Sequence, residues 1–153
     1  MAKKVVYSDK NTRIAYITRI RTAEIFFKDV CVGTISEESN DAGEFDWVIR
    51  PNWSVLDKLP LYAQIEGIDP DLHLAEYVRR FVPIFVTNRS PNDNRDNLQE
   101  ELAAVGLTYN DRFEFMCRRG NAGLSTSALT VKFKSDEAVS IKTIDPRDAE
   151  DRR

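Results

Sequence analysis

The chain predicts an α+β domain with a mainly antiparallel sheet and a small cluster of about three helices. Three observations carry that expectation. β-branched and aromatic side chains dominate the segments up to residue 50, apolar positions fall at helical spacing after residue 71, and strand-like alternation returns after residue 126. Strands, then helices, then strands is the order of an α+β fold. A doubly wound parallel sheet needs alternating strand and helix units, which this pattern lacks.

Each element follows from local chemistry. Residues 13–20 are rich in β-branched side chains and read as a strand. Residues 23–27 and 30–35 flank Lys28-Asp29, the spacing of a tight hairpin. Gly33 inside the second arm points to a bulge or a close backbone approach. Ser39–Gly43 is rich in turn formers and reads as a loop. Residues 44–50 form a third strand with Phe45, Trp47 and Ile49 on one face.

Between Pro51 and Pro60 the sequence allows one helical turn, and Leu61–Ile65 reads as a short extended piece before the turn at Gly67–Pro70. Leu74, Tyr77/Val78, Phe81 and Phe85 then fall at helical spacing, with Asp69 or Asp71 as a cap and Pro83 as a kink or stop. A second helix runs from Asp93 or Asn94 through Leu98, Leu102 and Val105 to Gly106. Thr108 caps a third, 109–119, stopped by Gly120. Residues 126–133 and 138–144 close the fold as two strands. Residues 1–144 thus form one domain and 145–153 a frayed tail.

At 153 residues the chain is long enough to bury a real core. A net charge of −3, with the signs mixed along the chain, supplies no global field toward nucleic acid or anionic lipid. The amino terminus lacks the apolar run of about 7–15 residues of a signal peptide, and no window approaches the ~20 apolar residues of a membrane span. A cytoplasmic location and no membrane contact are the expectation. Two cysteines, Cys31 and Cys117, are too few for a disulfide framework and sit among apolar neighbours as small buried hydrophobes.

The search for catalysis returns no convergent set, so no catalytic residue, metal or cofactor is assigned and a non-enzyme is expected. The one histidine, His73, falls in the first turn of the expected helix and reads as solvated or capping, with no His, Cys and carboxylate pattern that supports a metal or a triad. Gly120–Gly123 follows a helix and precedes a strand, the reverse of a phosphate loop. Asp111-Arg112-Phe113 lies inside a helix and does not match the metal-binding loop of a kinase, and no strand lysine or catalytic loop accompanies it. Asp93, Asp96, Glu100 and Glu101 read as a solvated helix face rather than a magnesium site. Arginines 79, 80, 89, 118 and 119 near Trp53, Tyr62 and Tyr77 keep a second reading open, a module that grips single-stranded nucleic acid.

The most informative pattern is an ordered set. Val32-Gly33-Thr34-Ile35 lies on the hairpin arm and Phe45-Asp46-Trp47 on the next strand. Phe81, Phe85, Pro91 and Arg95 follow, then Asp111, Phe113 and Gly120/Gly123-Leu124. Over about residues 23–130 this order resembles the amino-terminal subdomain of HipA-type toxin kinases, and the free-standing HipS-like form of it that accompanies a separate kinase subunit. Pro91-Asn92-Asp93 departs from the family's Pro-Glu-Gly, and Val86–Ser90 from its leucine pair.

The resemblance implies a bacterial or phage toxin–antitoxin system. In it, an antitoxin-like regulator binds a Ser/Thr protein kinase toxin and holds it inactive, alongside a helix-turn-helix DNA-binding protein. Expected partner contacts are Trp53, Tyr62 and Ile65 in the proline-bounded loop, with Asn92, Asp93 and Arg95 as polar contacts. Trp53 is equally readable as a core side chain, and Asn92–Arg95 as a helix cap with a surface arginine. A protein of a phage or mobile element that blocks some other host enzyme by surface mimicry is the third reading.

Overall fold

The computed structural model describes residues 5–7, 14–40, 45–119 and 128–142, with side chains in 19–39, 45–119 and 128–138. Among these, six strands form one antiparallel sheet: β1 Val5–Tyr7, β2 Ile14–Phe27, β3 Val30–Asn40, β4 Phe45–Pro51, β5 Tyr77–Arg79 and β6 Leu129–Lys142. β2 is the spine. One of its edges pairs with β6 from Ala15 to Phe27; the other pairs with β3 from Thr18 onward and with β1 beyond the end of β3. β4 and β5 continue the sheet outward from β3.

The hairpin turns at Lys28, whose φ of 56° is left-handed. Ile25 pairs with Gly33 but Phe26 with Cys31, so Val32 is the extra residue of a bulge. Gly33 also answers to a close approach, since a Cβ there would sit 2.7 Å from the Arg50 carbonyl oxygen. The two segments expected as separate strands, 13–20 and 23–27, are one strand. A second pair, 126–133 and 138–144, is likewise continuous as β6 where it is described, with an irregularity at Lys134.

One sheet face carries the core. Ala23, Ile35, Ile49 and Tyr77 form a cross-strand row, all buried, and Ile25, Phe27, Val131 and Leu129 extend it toward the hairpin. Short helices seal it: α1 Trp53–Leu56, α2 Ile84–Thr87, α3 Leu98–Ala104 and α4 Arg112–Arg119. Phe85, Phe113 and Met116 reach the sheet from α2 and α4. Arg89 pins these layers: its guanidinium lies 3.7 Å over Phe85, pairs with Glu66 and donates to the Phe85 carbonyl.

The helix expected across 71–85 does not form. Tyr77–Arg79 is instead the edge strand β5, and only Ile84–Thr87 is helical. Pro70 and Pro83 bracket the segment, Asp69 Oδ1 takes the Asp71 N–H in a local turn, and His73 adopts a left-handed φ of 51°. Leu61–Ala63 is a 3-10 turn rather than an extended piece. α4 begins later than expected, capped by Asp111 rather than Thr108, with the Asp111 side chain accepting the Glu114 N–H at 3.2 Å. Residue 39 and Asn40 continue β3 instead of starting a loop. The glycines at 120 and 123, the rest of the 41–43 loop and the 145–153 tail lie outside the described residues.

Candidate cleft on the open half of the sheet

The core face changes character one row from Ala23. Arg21 follows on β2, opposite Glu37 on β3 and Trp47 on β4, and the next row holds Arg19, Ser39 and Phe45. Here a cleft of about 460 Å³ opens over the sheet. Its floor is these two rows. Val82 enters from the segment after β5, Asp93 from the loop after Pro91, and Tyr109 to Arg112 from the start of α4.

Arg21 organises the floor. Its guanidinium donates to Asp111 through two nitrogens, at 2.7 and 3.0 Å, and to Glu37 Oε1 at 2.7 Å through Nε, with Nη2 reaching the same oxygen. It also lies 4.9 Å over the Phe113 ring. Burial works against the Arg21 charge, but the two carboxylates outweigh it and hold it more firmly protonated than a free arginine. The carboxylates separate. Burial pushes Glu37 up further than Arg21 pulls it down. Burial also pushes Asp111 up, but the paired hydrogen bonds and charge of Arg21 bring it below the usual carboxylate range. Arg19 is engaged by Asp136 at 2.7 Å.

The walls are apolar and open: Phe45, Val82 and Tyr109 are all exposed. Trp47, between Phe45 and Phe113, is only 2% exposed. Asn110 donates through Nδ2 to the Pro91 carbonyl at 3.1 Å and to Asp93 at 2.6 Å. Three arginines and three carboxylates line the cleft, so its charges balance.

The expected contact residues divide between two places. Ile65 is a core side chain at 3% exposure, packed beneath Gly33, which corrects its expectation as an exposed contact. Trp53 is half-buried; its ring stacks on His73 at 4.2 Å and its N–H donates to the Leu74 carbonyl at 2.7 Å, so it ties α1 to the segment before β5. Tyr62 is exposed, resting edge-on against Phe27 at the hairpin end. Asn92 and Arg95 are exposed and engaged locally, Asn92 with the Asn94 N–H and Arg95 with Glu101. Asp93 alone of the six lines the cleft. Missed by sequence reasoning were Phe81, Val82, Tyr109 and Asn110; Pro83, breaking the supposed helix, was the signal for the first two.

The residues of the nucleic-acid reading do not make one platform. Tyr77 is buried with its hydroxyl donating to the Asp69 carbonyl, Arg89 is buried, and Arg118 donates to the carbonyls of Val105 and Gly106 beyond α3. Among the described residues no three His, Cys, Asp or Glu side chains converge as a metal site, and no helix is long and apolar enough to cross a membrane. Burial pushes the Cys117 thiol up to about 12, which keeps it protonated and unreactive. No family model, curated protein or solved structure matches the chain.

Proposed function

We propose that this chain is a non-catalytic, antitoxin-like subunit that binds a HipA-type Ser/Thr kinase and holds it inactive, in a system that includes a helix-turn-helix DNA-binding protein. The observation that carries the proposal is an uncovered apolar segment. Directly after the edge strand β5, Phe81 is 85% exposed, with Val82 and Ile84 also open to solvent and Val78 outward on β5 itself. Ile84 rests against Gly67 and so joins this segment to the loop that carries exposed Leu61 and Tyr62. Large apolar side chains left open to solvent offer anchors to another protein, and aromatic anchors supply most of such an interface's energy.

The resemblance selects the partner. Val32, Ile35, Trp47, Phe85 and Phe113, quoted for it from four separate stretches of sequence, meet in one buried core. Inhibition then needs no chemistry from this chain, because a docked surface can cover a nucleotide cleft or hold a kinase lobe out of place.

Co-expression with a HipA-type kinase that lacks this subdomain tests the proposal. The expected result is a complex that survives gel filtration and restores growth. Phe81→Asp is expected to abolish both while the chain still folds. A kinase that neither binds nor is silenced would overturn the reading, and capture of a non-kinase host enzyme instead would favour inhibition by surface mimicry.

A further inference from the structure

β6 closes one side of the sheet, and among the described residues it is hydrogen-bonded to β2 alone. It is 14 residues long, and an edge of unpaired backbone N–H and C=O groups is a template for another strand. Its side chains indicate which strand fits. The irregularity at Lys134 shifts the alternation by one residue. Val131 and Phe133 before it, and Asp136 and Ala138 after it, share the core and cleft face, whereas Lys132, Ser135 and Glu137 lie on the outer face.

Two features of this edge have no use within one chain. Lys132, Lys134 and Glu137 are exposed, and none of them has an ion-pair partner among the described residues. Phe133 is 46% exposed, although Ala23, its neighbour on β2, is fully buried.

We infer that β6 pairs with β6 of a second copy of this chain, antiparallel, about a two-fold axis between Lys134 and Ser135. That register sets Lys132 opposite Glu137 of the second copy, and the symmetry makes the pair twice. Outer residues meet outer residues throughout, so the faces stay matched across both irregularities. Phe133 lies diagonal to its own symmetry mate, within reach of an aromatic side chain. Other registers fare worse. A shift of two residues either way puts Lys132 against Ser135 or Val139 and loses both ion pairs. Parallel in-register pairing sets lysine beside lysine.

Lysines and a bulge on an edge also serve to keep strands apart. A guard of that kind repels every copy alike, whereas here an acid stands where the axis brings the lysine. Pairing through β6 needs no kinase, so it stands or falls separately from the proposed function.

Sedimentation equilibrium of the full chain over a concentration series is the test. The expected result is a reversible monomer–dimer equilibrium. Lys132→Glu and Glu137→Lys, both at exposed sites, should leave the fold intact and each weaken the dimer about tenfold or more. An equimolar mixture of the two variants is expected to recover association, because opposite charges meet again. A monomer at every concentration, a dimer that neither reversal weakens, or a mixture no better than its components would overturn the inference. Stronger association of Lys132→Ala would do the same, since it marks a guarded edge. So would loss of the dimer in Phe81→Asp, which would move the interface to the β5 side of the sheet.

Discussion

The two halves of one sheet face are built on opposite terms. Near the hairpin, the row Ala23–Ile35–Ile49–Tyr77 is sealed under Phe85, Phe113 and Met116. One row away, the same strands present Arg21, Glu37 and Trp47 to a cleft, where the start of α4 meets them through Asp111 and Phe113. The sealed half is held by area removed from water, which is non-directional and indifferent to pH. The open half is held by directed charge-assisted hydrogen bonds, which depend on protonation.

Breaking the sealed half should cost the most. Phe113→Ala removes a ring that touches both Trp47 and Arg21, and is expected to lower stability by about 3–5 kcal/mol in urea unfolding. That cost should be nearly the same at pH 4 and pH 7.

Arg21→Met is expected to cost about 3–5 kcal/mol at pH 7, because it leaves Glu37 and Asp111 buried without their cation. Unlike the Phe113 variant, it should recover in acid. Without Arg21, burial raises both carboxylates, so each is most costly when ionised and is relieved as it protonates. A penalty equal at both pH values would mean that Arg21 acts by packing alone.

The two carboxylates sharpen the comparison at a smaller scale. Asp111 is held below its ordinary value of 3.8, so its stabilisation is complete above that value and is lost as the pH falls through its lower, folded value. Glu37 is raised above 4.5, so its ionisation opposes folding as the pH climbs through its raised value. Asp111→Asn, which also weakens the α4 cap, should therefore cost about 1–3 kcal/mol at pH 7. Glu37→Gln should cost less. Thermal unfolding of both variants at matched pH checks the order.

The sequence made the sealed half readable and hid the open one. The β2–β3 hairpin was legible in Lys28-Asp29 and its β-branched arms, and Gly33 announced the bulge. The long strand β2 was split in the reading because Arg21-Thr22 interrupts the apolar pattern. What makes Arg21 tolerable there is Asp111, 90 residues away, and no local rule connects them. The lost helix has a different cause. Leu74, Phe81 and Tyr77 share helical spacing, but only Tyr77 is buried, so periodicity reported exposed side chains and an edge strand as though they were one core face. Of the expected contacts, Asp93 reached the cleft because the residues just after Pro91 lie beside the start of α4; Ile65 went to the core because the loop between Pro60 and Pro70 folds back under Gly33.

The most direct measurement is hydrogen exchange on the full chain, alone and saturated with a HipA-type kinase that lacks this subdomain. Binding is expected to slow exchange in residues 81–84 and 109–112 and to leave the solvent-facing side of the sheet, around Thr34, Arg50 and Val78, unchanged. Phe81→Asp, altered at an exposed site, should keep its stability within about 0.5 kcal/mol and lose that protection. Protection confined to the opposite sheet face, or none at saturating kinase, would contradict a docking surface on the open half.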